Sequence, residues 1–218
     1  MTNKLRKILF TKKQGLNLVE VVVAIGVSIV TLTTSAVFST RLIIRAQENF
    51  MVDSSTQLVT LLTEQFRLIE ADMQNTKKTV GNDTTTYPST LKNRQTWNDI
   101  CASEKSEVYL KTDIPIVGSE NQSNINLVTQ ETKNDIKTPY GKYQFNYISK
   151  DSQTGAFYIA KDSNIGISIK RTITEDGVSA LGPVLNFSII TSYSVPNLAE
   201  TRFSTPVQIK MFKSSVCP

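Results

Sequence analysis

The chain has 218 residues, enough for one domain plus a membrane-crossing helix, and carries a net charge of +5 with a pI near 9.1. Residues 1–15 hold Lys4, Arg6, Lys7, Lys12 and Lys13 with no acid, and the rest of the chain balances 19 basic against 19 acidic residues. That distribution argues against the basic footprint of a nucleic-acid-binding domain. The lack of any histidine removes Ser-His and Cys-His catalysis and the commonest metal ligand.

The basic segment leads into residues 12–45, KKQGLNLVEVVVAIGVSIVTLTTSAVFSTRLIIR. After Gly15 an apolar run extends to Phe38, with Glu20 as its one ionisable residue and Arg41 as the next charge. The 25 residues Leu16–Thr40 reach roughly 37 Å as a helix, against about 30 Å of bilayer hydrocarbon. The basic flank orients such a helix with its N-terminus in the cytoplasm. A cleaved secretory signal fits less well. The run is too long for its apolar region, and the nearest small-residue site, Thr34-Ser35-Ala36, continues into Val37-Phe38. A carboxylate inside an apolar helix is costly and marks function by default, which singles out Glu20.

These residues resemble the N-terminus of type IV prepilins and of the pseudopilins of type II secretion systems: a short basic leader, a Gly, a cut, then an apolar helix with Glu fifth. Gly15 matches the last leader residue, Leu16 the first mature residue and Glu20 the fifth. Within the family GLNLVEVVVAI looks most like the minor subunits of the I/V kind. The family usually begins its mature chain with Phe followed by Thr, where this chain has Leu16 and Asn17. The resemblance implies cleavage after Gly15 by a prepilin peptidase and N-methylation of Leu16. It implies pairing of Glu20 with the N-terminal amine of a neighbouring subunit. The partners it implies are other pilin or pseudopilin subunits, an inner-membrane assembly platform and, before assembly, cytoplasmic-membrane lipid.

Beyond Arg45 the helical pattern continues. Leu58, Leu61, Leu62, Phe66, Ile69 and Met73 recur at the spacing of one buried helix face, with Glu64, Arg67, Glu70 and Asp72 opposite. The polar Asp53-Ser54-Ser55-Thr56 interrupts the stripe and predicts an exposed turn or a local bend. No proline falls between Leu16 and Tyr87, so one long helix over about 16–75 is expected, apolar all round in its first half and amphipathic in its second. Residues 76–95 read as a loop. A short helix is expected around 90–104 and a strand over Val108–Thr112, with a further strand at Ile125–Val128.

From 141 the period becomes two. Tyr143, Phe145 and Tyr147 alternate with Gln144 and Asn146; Asp151–Gly155 reads as a turn and Phe157–Ala160 as the returning strand. Ile165, Ile167 and Ile169 alternate through to Ile173, Glu175-Asp176-Gly177 signals a hairpin, and Val184–Tyr193 and Pro206–Phe212 complete the run. Thr138-Pro139-Tyr140-Gly141 reads as a turn entering a strand and loosely resembles a Pro-aromatic-Gly turn of some pseudopilins. The expected fold class is α+β: a long N-terminal helix packed on a C-terminal antiparallel β-sheet.

Cys101 and Cys217 are the only cysteines, and both follow the apolar helix, on the side expected outside the cytoplasm. An even count fits a single bridge, which would enclose 115 residues and pin the end of the chain; two unpaired thiols are the alternative. No phosphate-binding loop, dinucleotide motif or zinc spacing occurs. The acidic pairs Glu104/Glu107 and Glu175/Asp176 sit in polar, turn-like surroundings, and Asn134-Asp135 and Asp162–Asn164 fall short of a calcium ligand set. No cofactor, metal or catalytic residue is therefore expected.

The chain thus divides into a leader (1–15), a transmembrane and assembly helix (16–40) and an extracytoplasmic head (41–218). It reads as a structural subunit of a pilus or pseudopilus, held in the cytoplasmic membrane before assembly. The alternative is a signal-anchored binding module or adhesin that does not polymerise.

Overall fold

The computed structural model describes residues 18–91, 93–102, 106–113, 126–129, 135–155, 157–160, 162–174, 182–195 and 200–218. The chain forms two compact units, residues 1–46 and 47–218. The first 63 described residues, Leu18–Val80, are a single helix, α1, that runs from the first unit into the second. Its end lies five residues beyond the expected one. Lys77 and Lys78 suit the negative end of a helix, and the stop is set by Gly81. This residue adopts φ +69° and donates its N–H to the Lys77 carbonyl at 2.8 Å, a left-handed cap that favours glycine.

In the second unit α1 buries Leu58, Leu62, Phe66, Ile69 and Met73 along one face. Ser54 and Ser55, expected in an exposed turn or bend, are instead helical and buried. They occupy the positions that extend the Leu58–Leu62 face by one turn, so the helix carries them inward whatever their polarity. Asp53 stays outside, accepting a hydrogen bond from Gln57 Nε2 at 2.9 Å.

A second helix, α2 (Arg94–Cys101), begins where Asn93 accepts the Thr96 N–H at 2.9 Å, and it buries Trp97 and Ile100. Among the described residues ten strands follow: β1 Glu107–Asp113, β2 Asn126–Thr129, β3 Ile136–Thr138, β4 Gly141–Tyr143, β5 Asn146–Lys150, β6 Phe157–Ile159, β7 Ile165–Thr174, β8 Val184–Ser194, β9 Thr201–Phe203 and β10 Val207–Phe212. A four-residue helix, α3 (Lys213–Val216), comes last. Eight strands form one antiparallel sheet in the order β10-β8-β7-β1-β2, with β9 also on β8, β5 on β7 and β6 on β5. The fold is α+β, as expected.

The register of the central pair explains the core. Ile165 faces Tyr193 and Thr174 faces Val184, so Ile165, Ile167 and Ile169 share a face with Leu185, Phe187 and Ile189. Those six join the α1 stripe in one apolar cluster, with the Phe66 and Phe187 rings 4.9 Å apart. The hairpin turn expected at Glu175–Gly177 lies outside the described residues.

The opposite face is covered too. β3 and β4 form a separate hairpin whose turn is Pro139-Tyr140, with Thr138 paired to Gly141. Gly141 takes φ +115°, and Thr138 Oγ1 accepts the Tyr140 N–H at 3.1 Å and donates to the Gly141 carbonyl at 2.9 Å. From this hairpin Tyr143 reaches Ser188 Oγ at 3.0 Å, while Lys170 stands over its ring at 5.0 Å. Phe145 lies against Gly166, where a Cβ would come within 3.3 Å of it. Ser168, Ser188, Ile190 and Ser192 are consequently buried on that side.

The alternation expected through Tyr143, Phe145 and Tyr147 is therefore broken at 144–145. β4 and β5 belong to different sheets, Gln144 and Asn146 are buried, and Tyr147 is exposed. Gln144 is held by Asp135, whose Oδ1 accepts its Nε2 donor at 3.0 Å. A hydrogen bond thus accompanies its burial.

Candidate functional site

The described part of the first unit is helix alone, and it is apolar on every side. Leu18, Val19, Val22, Val23, Ile25, Val27, Ile29, Val30, Leu32 and Phe38 are all exposed, Leu18 by 78% and Leu32 by 71%. At about 1.5–3 kcal/mol for each such side chain fully removed from water, the run leaves on the order of 10–20 kcal/mol of burial to be supplied by its surroundings. That exceeds or matches the whole stability of a typical domain, about 5–15 kcal/mol. Among the described residues one helix, α1, is thus long and apolar enough to span a membrane.

Five hydroxyls of this run turn back onto the helix's own backbone. Ser28, Thr33, Thr34 and Thr40 each donate to the carbonyl four residues back, and Thr31 to the one three back, at 2.7–2.9 Å. A helix that hides its hydroxyls this way presents little polarity to lipid or to a neighbouring helix. Glu20 stands in the first described turn of α1. It is the only ionisable residue between Leu18 and Thr40; Arg41 and Arg45 follow, four apart on one face. Gly15 and Leu16, the expected cleavage pair, lie outside the described residues.

At the far end of the chain the structure joins Cys101 to Cys217 in a disulfide, with Cα atoms 5.6 Å apart. Lys77 of α1 donates to the Ser214 carbonyl at 2.6 Å and also to the Cys217 carbonyl. The C-terminal segment is thereby fastened to α1 and to α2. Among the other residues singled out, Glu107 pairs with Lys170 at 3.2 Å at the margin of β1 and β7. Asp162 and Asp135 take part in no acidic cluster: among the described residues no group of three His, Cys, Asp or Glu side chains converges. Glu104, Glu175, Asp176 and Asn134 lie outside the described residues.

Perturbed groups sit in structural positions. Burial pushes the Tyr109 hydroxyl up to about 12, with the carboxylates of Asp135 and Glu107 adding to the effect, while the hydroxyl donates to the Lys142 carbonyl at 2.9 Å. Backbone N–H donors hold two exposed turn carboxylates below their usual value, Thr85 for Asp83 and Thr154 with Gln153 for Asp151. Arg171 on β7 is fully buried, and that burial lowers its pKa against the opposing pull of Asp99. Its Nη2 donates to the Asp99 carbonyl at 3.0 Å, tying α2 to the sheet. Its parity with Ile169 and Ile173 places Arg171 on the core face of β7; what the alternation does not supply is the carbonyl on α2 that receives the guanidinium there. No family model, no curated protein and no solved structure matches the chain.

Proposed function

We propose that the protein is a minor structural subunit of a type IV pilus or of a type II secretion-like pseudopilus. In this reading prepilin peptidase removes residues 1–15 after Gly15, and the new amine of Leu16 is methylated. The subunit waits as a single-pass protein of the cytoplasmic membrane with its head outside, and an assembly platform then moves it into the fibre. The observation that carries the reading is the combination in one helix of an unburied apolar half and a half that forms part of the head core. Lipid can cover the first half before assembly and neighbouring subunits afterwards, with the head intact in both settings.

Glu20 gives the assembly its register. Taking a carboxylate and an amine separately into an apolar bundle is costly, and pairing them offsets that cost only when the helices are correctly staggered. The disulfide suits a head outside the cytoplasm. The role is structural rather than catalytic.

Processing tests the proposal. Immunoblots of cells with and without prepilin peptidase should show a form shorter by the 15 leader residues only when the peptidase is present. A chain of unchanged length in both strains would favour the alternative, a signal-anchored binding module that does not polymerise.

A further inference from the structure

Two cations close the apolar half of α1. Residues 21–40 carry no ionisable side chain, an interval of about 30 Å as a helix, which matches the hydrocarbon thickness of a bilayer. Arg41 ends that interval, and Arg45 stands one turn further, about 6 Å along the axis. Both are exposed, and so are the apolar Phe38, Leu42 and Ile43 around them. Cations interleaved with unburied apolar side chains at the end of a membrane-length run suit the level where hydrocarbon gives way to headgroups.

Among the described residues no ion pair or hydrogen bond engages the side chain of Arg41 or Arg45. The helix neighbours of Arg41, three and four residues away, are Val37, Phe38, Ile44 and Arg45 itself. Those of Arg45 include one acid, Glu48, and Glu48 already accepts a hydrogen bond from Arg202 of β9. Two like charges one turn apart repel, so the pair favours an anion placed between them.

We infer that Arg41 and Arg45 bind the phosphate of an anionic phospholipid, in the leaflet opposite the basic N-terminal segment. The lipid contact rests on the membrane placement in the proposed function and adds the lipid class to it. Guanidinium forks match phosphate oxygens bidentately, and a phosphatidylglycerol-type headgroup brings a net negative charge to the pair. Phosphatidylcholine brings its own ammonium, which the pair repels. Dissolved phosphate has no acyl chain to cover Phe38, Leu42 and Ile43, whereas a lipid covers them with the same molecule that supplies the anion.

The test reads lipid beside Arg41. Phe38→Trp places a fluorophore one turn from Arg41 on the same face, in the full chain reconstituted in phosphatidylcholine vesicles. Its emission, less that of the chain without the substitution, is quenched with brominated phosphatidylglycerol or brominated phosphatidylcholine, and the two quenching curves give a relative affinity. Phosphatidylglycerol should bind about fivefold or more tightly, the scale of one cation near a lipid surface, and Arg41→Gln/Arg45→Gln should bring the ratio to about one. Lys137→Gln/Lys142→Gln, which removes two exposed cations from the β3–β4 hairpin, should leave the ratio unchanged, as should dissolved phosphate. Should Phe38→Trp disturb the helix, Leu42→Trp reports from the other side of Arg41. A ratio near unity before any arginine is replaced, a ratio unmoved by the double glutamine variant, an equal fall on removing the hairpin lysines, or displacement by dissolved phosphate would overturn the assignment and leave the membrane placement standing. Absence of quenching by either lipid would remove the membrane placement and the assignment with it.

Discussion

Gly166 shows how closely the sheet and the segment covering its outer face are set. A Cβ there would stand 2.4 Å from Ser192 Oγ and 3.3 Å from Phe145, so a methyl group must displace the covering layer. Gly166→Ala is expected to cost about 1–3 kcal/mol by overpacking, read as a lower urea midpoint with an unchanged slope. Tyr109 supplies a pH signature. With its folded pKa raised to about 12 from 10.0, folded and unfolded chains both keep the proton below pH 10. Between pH 10 and 12 the unfolded chain releases a proton that the folded one retains, so stability falls as pH rises through that window. Tyr109→Phe should lose about 1 kcal/mol at neutral pH with its hydrogen bond, yet decline less steeply over the alkaline window in urea titrations at stepped pH.

Among the elements, those with one buried face were the most legible. The three- and four-residue spacing of Leu58 to Met73 and the alternation through Ile165–Ile173 and Val184–Tyr193 reflect apolar side chains meeting across one core, and α1, β7 and β8 follow them. What escaped was burial without hydrophobicity. Gln144 goes inside beside Asp135, and Ser54 and Ser55 because the helix turns them in; Arg171 falls in the inward row of β7, but its carbonyl partner on α2 is not in the pattern. Strand β9, three residues long, has too short an alternation to read. For the candidate site, the unburied apolar helix and the place of Glu20 within it were legible, because a run without charges needs no partner to be read. The disulfide is the element-scale device that can be tested most simply. Closing a loop of this length restricts the unfolded chain by on the order of 4–5 kcal/mol on the entropic model, so Cys101→Ser/Cys217→Ser should lower unfolding free energy toward that figure. A change below about 1 kcal/mol in denaturant melts would show that the bridge contributes little to the head.

For the molecule as a whole, the deciding quantity is the apolar surface of Leu18 to Phe38, too large to be left in water; in the proposed function lipid covers it first and other helices afterwards. Glu20→Ala leaves that surface intact and removes only the acid. The variant is therefore expected to remain membrane-bound and to be processed, but to enter sheared fibres at a small fraction of the wild-type amount, measured against its level in the membrane. Incorporation equal to wild type would remove the carboxylate from assembly. The most direct measurement is the intact mass and stepwise N-terminal sequence of the protein isolated from its native membrane or fibre. The account predicts a chain beginning at Leu16 with a methylated amine. A chain that begins at Met1, or downstream of Arg41, would contradict it.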